Sequence, residues 1–234
     1  MEDNNPKQPR RDFLGKIAAG AAAMGIATIA TPLKAAAGTF RLDGTSNPDD
    51  ADAWFGKIDG GKHKIMFDVT RPHDVLPFAW PKVYMLTNAA TGSPDKDSRV
   101  VVVLRHDGIP YAFNNATWAK YKFGEVFKAD DPLTKAPATR NPFWMPKQGD
   151  YSVPGLGPVD IGINQLQDVG VMFCVCSVAI QVYSTVVAQG MNAKPEDVKK
   201  DWMSNLLPGV QAVPSGVWAV GRAQEHGCGY CFAG

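Results

Sequence analysis

The segment His63–Thr70 (HKIMFDVT) alternates polar and apolar residues, with Ile65, Phe67 and Val69 on one side. That period of two predicts a first β-strand. Arg99–Arg105 (RVVVVLR) is instead a continuous β-branched run, as expected of a strand buried on both faces in a parallel sheet. Val169–Cys176 (VGVMFCVC) and Val210–Val213 predict two further strands, and Tyr230–Phe232 a last edge strand. Between them the spacing turns helical. His73–Thr91 predicts a helix whose start Pro77 and Pro81 delay or kink. Pro110 suits a first helical turn, and Ile109, Ala112, Phe113, Ala116, Phe123 and Phe127 keep helical spacing to about Lys128. Asn164–Asp168 predicts a short helix, and Val178–Gln189 a longer one that Gly190 stops. Pro195 opens another, with Glu196 and Asp197 in its first turn and Val198, Trp202 and Leu206 as its buried stripe. Ser215 is placed to cap a helix over Val217–His226.

Strands alternating with helices predict an α/β fold: an open parallel sheet with helices on both faces, in a single domain. Ala129–Pro158 interrupts the pattern. It is rich in proline and glycine, has no period, and predicts a long surface excursion outside the sheet. A loop of that length is uncommon in a compact domain and is often functional. No repeat or low-complexity tract is present, and no predicted strand runs into a glycine-rich phosphate loop, which argues against dinucleotide and nucleotide triphosphate binding.

The amino-terminal part reads differently. Arg10-Arg11-Asp12-Phe13-Leu14-Gly15-Lys16 precedes a weakly apolar, Ala- and Gly-rich run, Ile17–Ala30, and Ala35-Ala36-Ala37 supplies small residues for cleavage. This is the pattern of a twin-arginine export signal, and it predicts a periplasmic protein whose mature chain begins near Gly38. A membrane-spanning helix fits less well, since the run falls short of the roughly 20 residues a bilayer core needs and Pro32 follows it. The predicted organisation is therefore a signal peptide over 1–37, an irregular Gly-, Asp- and Asn-rich lead-in over 38–62, and an α/β domain over 63–234 with an insertion at 129–158.

Net charge is +1 for the whole chain. The predicted signal carries Lys7, Arg10, Arg11, Lys16 and Lys34 against Glu2, Asp3 and Asp12, so the remainder is slightly negative. A near-neutral domain without a basic patch gives no basis for nucleic-acid binding. No later stretch is long and apolar enough for a membrane span.

Candidate chemistry centres on cysteine. Open parallel sheets bind ligands beyond the carboxyl ends of their strands, and Cys176 is predicted at such an end, where the next helix begins. The positive end of that helix would favour its thiolate; the competing role is that of a small buried apolar residue. Cys174 is expected on the same face of the strand, one pleat earlier and in the core. Cys174 and Cys176, two apart along a strand, have side chains side by side and Cα atoms near the upper distance limit for a bridge, which argues against a structural disulfide. His106, beside Asp107, and His73, beside Asp74, lie near strand ends on the same rim. Ser177 lacks the glycine-flanked setting of a hydrolase nucleophile. The second cluster is His226-Gly227-Cys228-Gly229-Tyr230-Cys231. Cys228, Cys231 and His226 have the residue types of a metal site, and the two cysteines alone could equally form a terminal disulfide. Cofactor content is thus open between none and a metal at this Cys-x-x-Cys.

Four segments in order carry a family resemblance: Val171-Met172-Phe173-Cys174-Val175-Cys176, Asn205-Leu206-Leu207-Pro208-Gly209-Val210, Val213-Pro214-Ser215-Gly216-Val217, and Ala223-Gln224-Glu225-His226-Gly227. Together they resemble the DsrE/DsrF family of small sulfur-relay proteins over roughly residues 63–231. The resemblance implies a flavodoxin-like fold, homo-oligomers or paired hetero-oligomers, and a cysteine that takes and passes on sulfur as a persulfide. The matching position is Cys176, with small inorganic or protein-bound sulfur species as its partners. Three functions are compatible with the sequence: a sulfur carrier or sulfurtransferase using Cys176 with help from His106; a metal- or haem-type binding protein using Cys228, Cys231, His226 and His106; and a non-catalytic oligomeric subunit.

Overall fold

A computed structural model of the chain describes residues 48–155 and 157–234. The predicted signal peptide and the lead-in as far as residue 47 lie outside the described residues. The architecture is α/β: five parallel strands in the order β6-β5-β2-β1-β7, with helices on both faces. The strands are β1 (His63–Val69), β2 (Ser98–Leu104), β5 (Met172–Cys176), β6 (Val210–Val213) and β7 (Gly229–Phe232). A separate two-stranded antiparallel ribbon pairs β3 (Ser152–Val153) with β4 (Gly157–Pro158).

Strand β2 sits at the centre because every side chain from Val100 to Leu104 is apolar and sealed from water. Val100, Val102 and Leu104 enter one core cluster, whereas Val101 and Val103 enter the other. This is the two-sided burial that the unbroken valine run predicts. Each fully buried side chain of this size contributes about 1.5–3 kcal/mol relative to exposure.

The first core cluster holds helices α2 (Leu76–Ala90), α3 (Asn115–Tyr121), α4 (Phe123–Val126), α5 (Ile163–Asp168), α6 (Ser177–Gly190) and α7 (Pro195–Ser204). The second holds α1 (Pro48–Phe55) and α8 (Gly216–Glu225). Chain direction explains this division. From β1 through β2 and β5 to β6 each step moves the same way across the sheet, and each connection covers the first face. The last step reverses, placing β7 beside β1. A right-handed connection in the reverse direction must pass over the opposite face, and α8 does so.

Several expectations are corrected. The lead-in is not irregular throughout: residues 48–55 form α1, followed by a 3-10 turn at Gly56–Ile58, and Ala51, Trp54, Phe55 and Ile58 cover the second core cluster. The helix expected from Pro110 to Lys128 is three pieces: a 3-10 stretch over His106–Ala112, then α3 and α4. Asn114 caps α3 by accepting from the Thr117 N–H at 3.0 Å, and Lys122, at φ +51°, divides α3 from α4. Strand β5 starts at Met172 because Gly170, at φ +91°, is still turning out of α5.

The described residues of 129–158 lie outside the five-stranded sheet but are not merely superficial. Phe143 is fully buried, its ring 4.2 Å from that of Phe78. Buried Asn141 donates through Nδ2 to the carbonyls of Tyr111 and Phe113, each at 2.9 Å. These contacts make the excursion part of the lid over the first face. Among the described residues no helix is long and apolar enough to cross a membrane.

Candidate functional site at the carboxyl end of the sheet

Strand β5 runs into α6 on the first face, and the adjacent β6 runs into α8 on the second. Two neighbouring strands whose connections diverge leave a crevice between their carboxyl ends, the usual ligand position in such sheets. A cavity of about 280 Å³ occupies this place, and Arg105, His106, Cys176, Val182, Tyr183 and Val217 are among its lining residues. A larger groove of about 650 Å³ lies between α6 and α7, but no cysteine or histidine lines it.

Cys176 ends β5 and is the N-cap of the 14-residue α6. Its Sγ accepts the Ala179 backbone N–H at 3.2 Å. The residue is only 6% exposed, so its sulfur is reached through the cavity. The positive end of the α6 dipole acts on it directly. Cys174 does not share its surroundings: it is fully buried in the second core cluster, while Cys176 packs with the first. The pleat ends where β5 turns into α6, so Cys176 leaves the alternation that would have kept both sulfurs on one face. Burial pushes the Cys174 thiol pKa strongly up.

Arg105 follows β2. Its Nε and Nη2 donate to the two oxygens of Asp68 at 2.6 and 2.8 Å, and the Tyr230 hydroxyl donates to the same carboxylate at 2.8 Å. The Asp68 hydrogen bond and charge raise the Arg105 pKa, and Cys176 adds a smaller electrostatic contribution in the same direction. Gly216, the first residue of α8, makes this arrangement possible. A Cβ there would lie 2.3 Å from the Arg105 Cβ.

His106 stands at the cavity mouth with its side chain 66% exposed and its backbone in the left-handed region at φ +50°, a conformation that non-glycine residues seldom adopt. Its Nδ1 is 3.3 Å from an Asp107 oxygen, and the other Asp107 oxygen accepts the Tyr183 hydroxyl. Burial, then Asp107, push the Tyr183 hydroxyl pKa up. His106 is thus oriented from one side by a carboxylate that Tyr183 steadies. His73 does not line this cavity; its neighbour Asp74 pairs with Lys135 at 3.3 Å.

The carboxyl-terminal motif does not assemble as expected. Cys228 immediately precedes β7 and Cys231 lies within it, and a spacing of three along extended chain sends side chains to opposite faces. Cys228 accordingly packs in the second core cluster and Cys231 against the first. All four cysteines are free thiols, and among the described residues no three His, Cys, Asp or Glu side chains are grouped to hold a metal. Cys228 and Cys231 are thus unbridged and on opposite sides of the sheet, and His226 is not grouped with them as the spacing suggests. His226 stacks on Phe55 and its Nδ1 lies 2.9 Å from Asp59, which fastens the end of α1. Burial pushes the Cys228 thiol up to about 11.

The site residues that sequence reasoning missed are Arg105, Asp68 and Tyr183. A signal existed for two of them. Asp68 is a carboxylate in a strand that neighbours cover on both sides, which demands a cationic partner. Arg105 directly follows Leu104, which lies beside Val69 in the parallel register.

No protein-family model matches the chain, and no curated protein matches it. Among solved structures, a protein of unknown function from Methanobacterium thermoautotrophicum is similar at 16% identity and a TM-score of 0.37, covering 73% of this chain and 98% of that one.

Proposed function

We propose that the chain is an exported, DsrE-like sulfur carrier or sulfurtransferase that relays persulfide sulfur through Cys176, working as an oligomer. One observation carries the reading: in the crevice between the ends of β5 and β6, a thiol at the start of a long helix shares a cavity with an arginine and a histidine. The amino-terminal end of the helix and the guanidinium both present positive charge to the cavity.

In the uptake step the Cys176 thiolate attacks the outer sulfur of a donor such as thiosulfate. A new S–S bond forms at Cys176, the donor S–S bond breaks, and sulfite leaves with the electron pair. In the release step an acceptor thiolate attacks the outer sulfur of the persulfide and the Cys176 thiolate is regenerated. Neither step needs an external oxidant or reductant. His106, turned by Asp107, is the group at the mouth that can take the thiol proton at the start. The Cys174 thiol, buried on the other side of the sheet, takes no part.

Intact-mass analysis of protein treated with thiosulfate or polysulfide tests the reading. The parent is expected to gain the mass of sulfur atoms, with the adduct mapping to the Cys176 peptide. Equal gain by the Cys176→Ser protein overturns the reading.

A further inference from the structure

We propose that Arg105 makes the Cys176 cavity selective for anionic donors, and that Asp68 and Tyr230 are positioning residues that hold Arg105 at that task. The inference rests on the reading of Cys176 as the sulfur-accepting thiol.

The Asp68 carboxylate is 1% exposed and both its oxygens are engaged, by Nε and Nη2 of Arg105 and by the hydroxyl of Tyr230. Two fixed bonds lock the orientation of a planar guanidinium. What remains is Nη1, which has no hydrogen-bond partner among the described residues. The Arg105 side chain is 27% exposed and lines the cavity beside Cys176. Its remaining donors therefore form the cationic part of the cavity wall.

The rest of the lining agrees with an anion that has a polarisable or apolar body. Among the described residues no Asp or Glu lines the cavity, while Val178, Val182 and Val217 do. The two carboxylates nearby are occupied: Asp68 lies behind Arg105, and Asp107 is held by Tyr183 and His106. At about 280 Å³ the cavity exceeds what a single inorganic anion fills, so a persulfide anion on a small organic carrier also fits.

Tyr230 gives the carboxyl-terminal motif a role its cysteines do not have. It stands on the edge strand β7, pairs in register with Met66 of β1, and reaches Asp68 with its hydroxyl. Tyr230 acts on the cavity only through Asp68 and Arg105.

Thiol–disulfide exchange with two aromatic disulfides separates charge from access. One probe carries a carboxylate on each ring; the other is the neutral pyridyl disulfide. In both, the Cys176 thiolate attacks one sulfur, forms a mixed disulfide and expels an aryl thiolate. The readout is the ratio of the two rates at the Cys176 peptide. Arg105→Gln is expected to lower the ratio of anionic to neutral rates roughly tenfold. Tyr230→Phe is expected to lower it less, in the same direction, and added salt to flatten the parent's preference. Because Arg105→Gln leaves Asp68 unpaired and can disturb folding, Val217→Glu at the exposed rim is the second variant. It places a negative charge at the mouth without touching Asp68, and it too is expected to lower the ratio. An unchanged ratio in Val217→Glu and in folded Arg105→Gln overturns the selectivity, while Cys176 still loading sulfur keeps the sulfur-relay reading intact. Sulfur loading that survives Cys176→Ser overturns that reading itself.

Discussion

The Arg105 guanidinium grips the Asp68 carboxylate with two bonds, Nε to Oδ1 at 2.6 Å and Nη2 to Oδ2 at 2.8 Å, from a neighbouring parallel strand. The pair is asymmetric. The carboxylate is sealed inside the sheet edge, whereas the guanidinium reaches the cavity. The two partners should therefore not cost the same when removed. Arg105→Ala strands a buried charge, for which about 3–5 kcal/mol is expected. Asp68→Ala leaves a guanidinium that can turn to water, for which about 2 kcal/mol is expected. Urea denaturation of both variants checks the order; an equal or reversed cost contradicts the described burial.

Gly216 is the second contact that shapes the site. Its missing Cβ would meet Arg105 Cβ at 2.3 Å and Cδ at 2.7 Å. Gly216→Ala is expected to cost about 1–3 kcal/mol through overpacking and to slow alkylation of Cys176 by displacing Arg105. Alkylation at the parent rate in the folded variant means that α8 and Arg105 do not pack as described.

The excursion at 129–158 is expected to be anchored by Phe143, whose ring stacks among those of Phe78, Tyr111 and Tyr151. Phe143→Ala should cost about 3–5 kcal/mol. A loss below about 1 kcal/mol, typical of surface positions, would make the segment superficial.

Alkaline pH tests the burial of the terminal motif. Burial raises the Cys228 thiol from the ordinary 9.0 to about 11. The folded protein thus keeps a proton that the unfolded chain loses first. The stability so contributed is fully present below about pH 9 and is lost as pH rises to about 11, on the order of 2 kcal/mol in all. Cys228→Ala is expected to flatten this fall relative to the parent; an identical slope in both proteins places the thiol in water.

The strands and the helices that carry them were legible because period and run length are local. The valine run of β2 announced its two-sided burial, Pro195 and Ser215 marked the helix starts they occupy, and the chain order of strands and helices announced the parallel sheet. Helix α1 was missed: Ala51, Trp54 and Phe55 share one of its faces, but the Gly- and Asp-rich flanks masked so short a period. What a local reading lacks is long-range pairing. The Asp68–Arg105–Tyr230 cluster joins three strands and exists only once the sheet order is known. Cys-x-x-Cys suggests proximity in a turn, yet here the chain extends from Cys228 into β7 and the same spacing parts the sulfurs. Phe143 sits in a segment without period, so nothing nearby in the chain marks it as core. The placement of Cys176 was legible from position: a strand end followed at once by a helix.

Sulfur loading of that cysteine tests the whole account most directly. Parent, Cys174→Ser and Cys176→Ser proteins would be incubated with thiosulfate or polysulfide and compared by intact mass, with peptide mapping of the adduct. Loading is expected in the parent and in Cys174→Ser, mapped to Cys176, and none in Cys176→Ser. Loading of Cys176→Ser at the parent rate would make Cys176 a core residue at a helix start and contradict the proposed function.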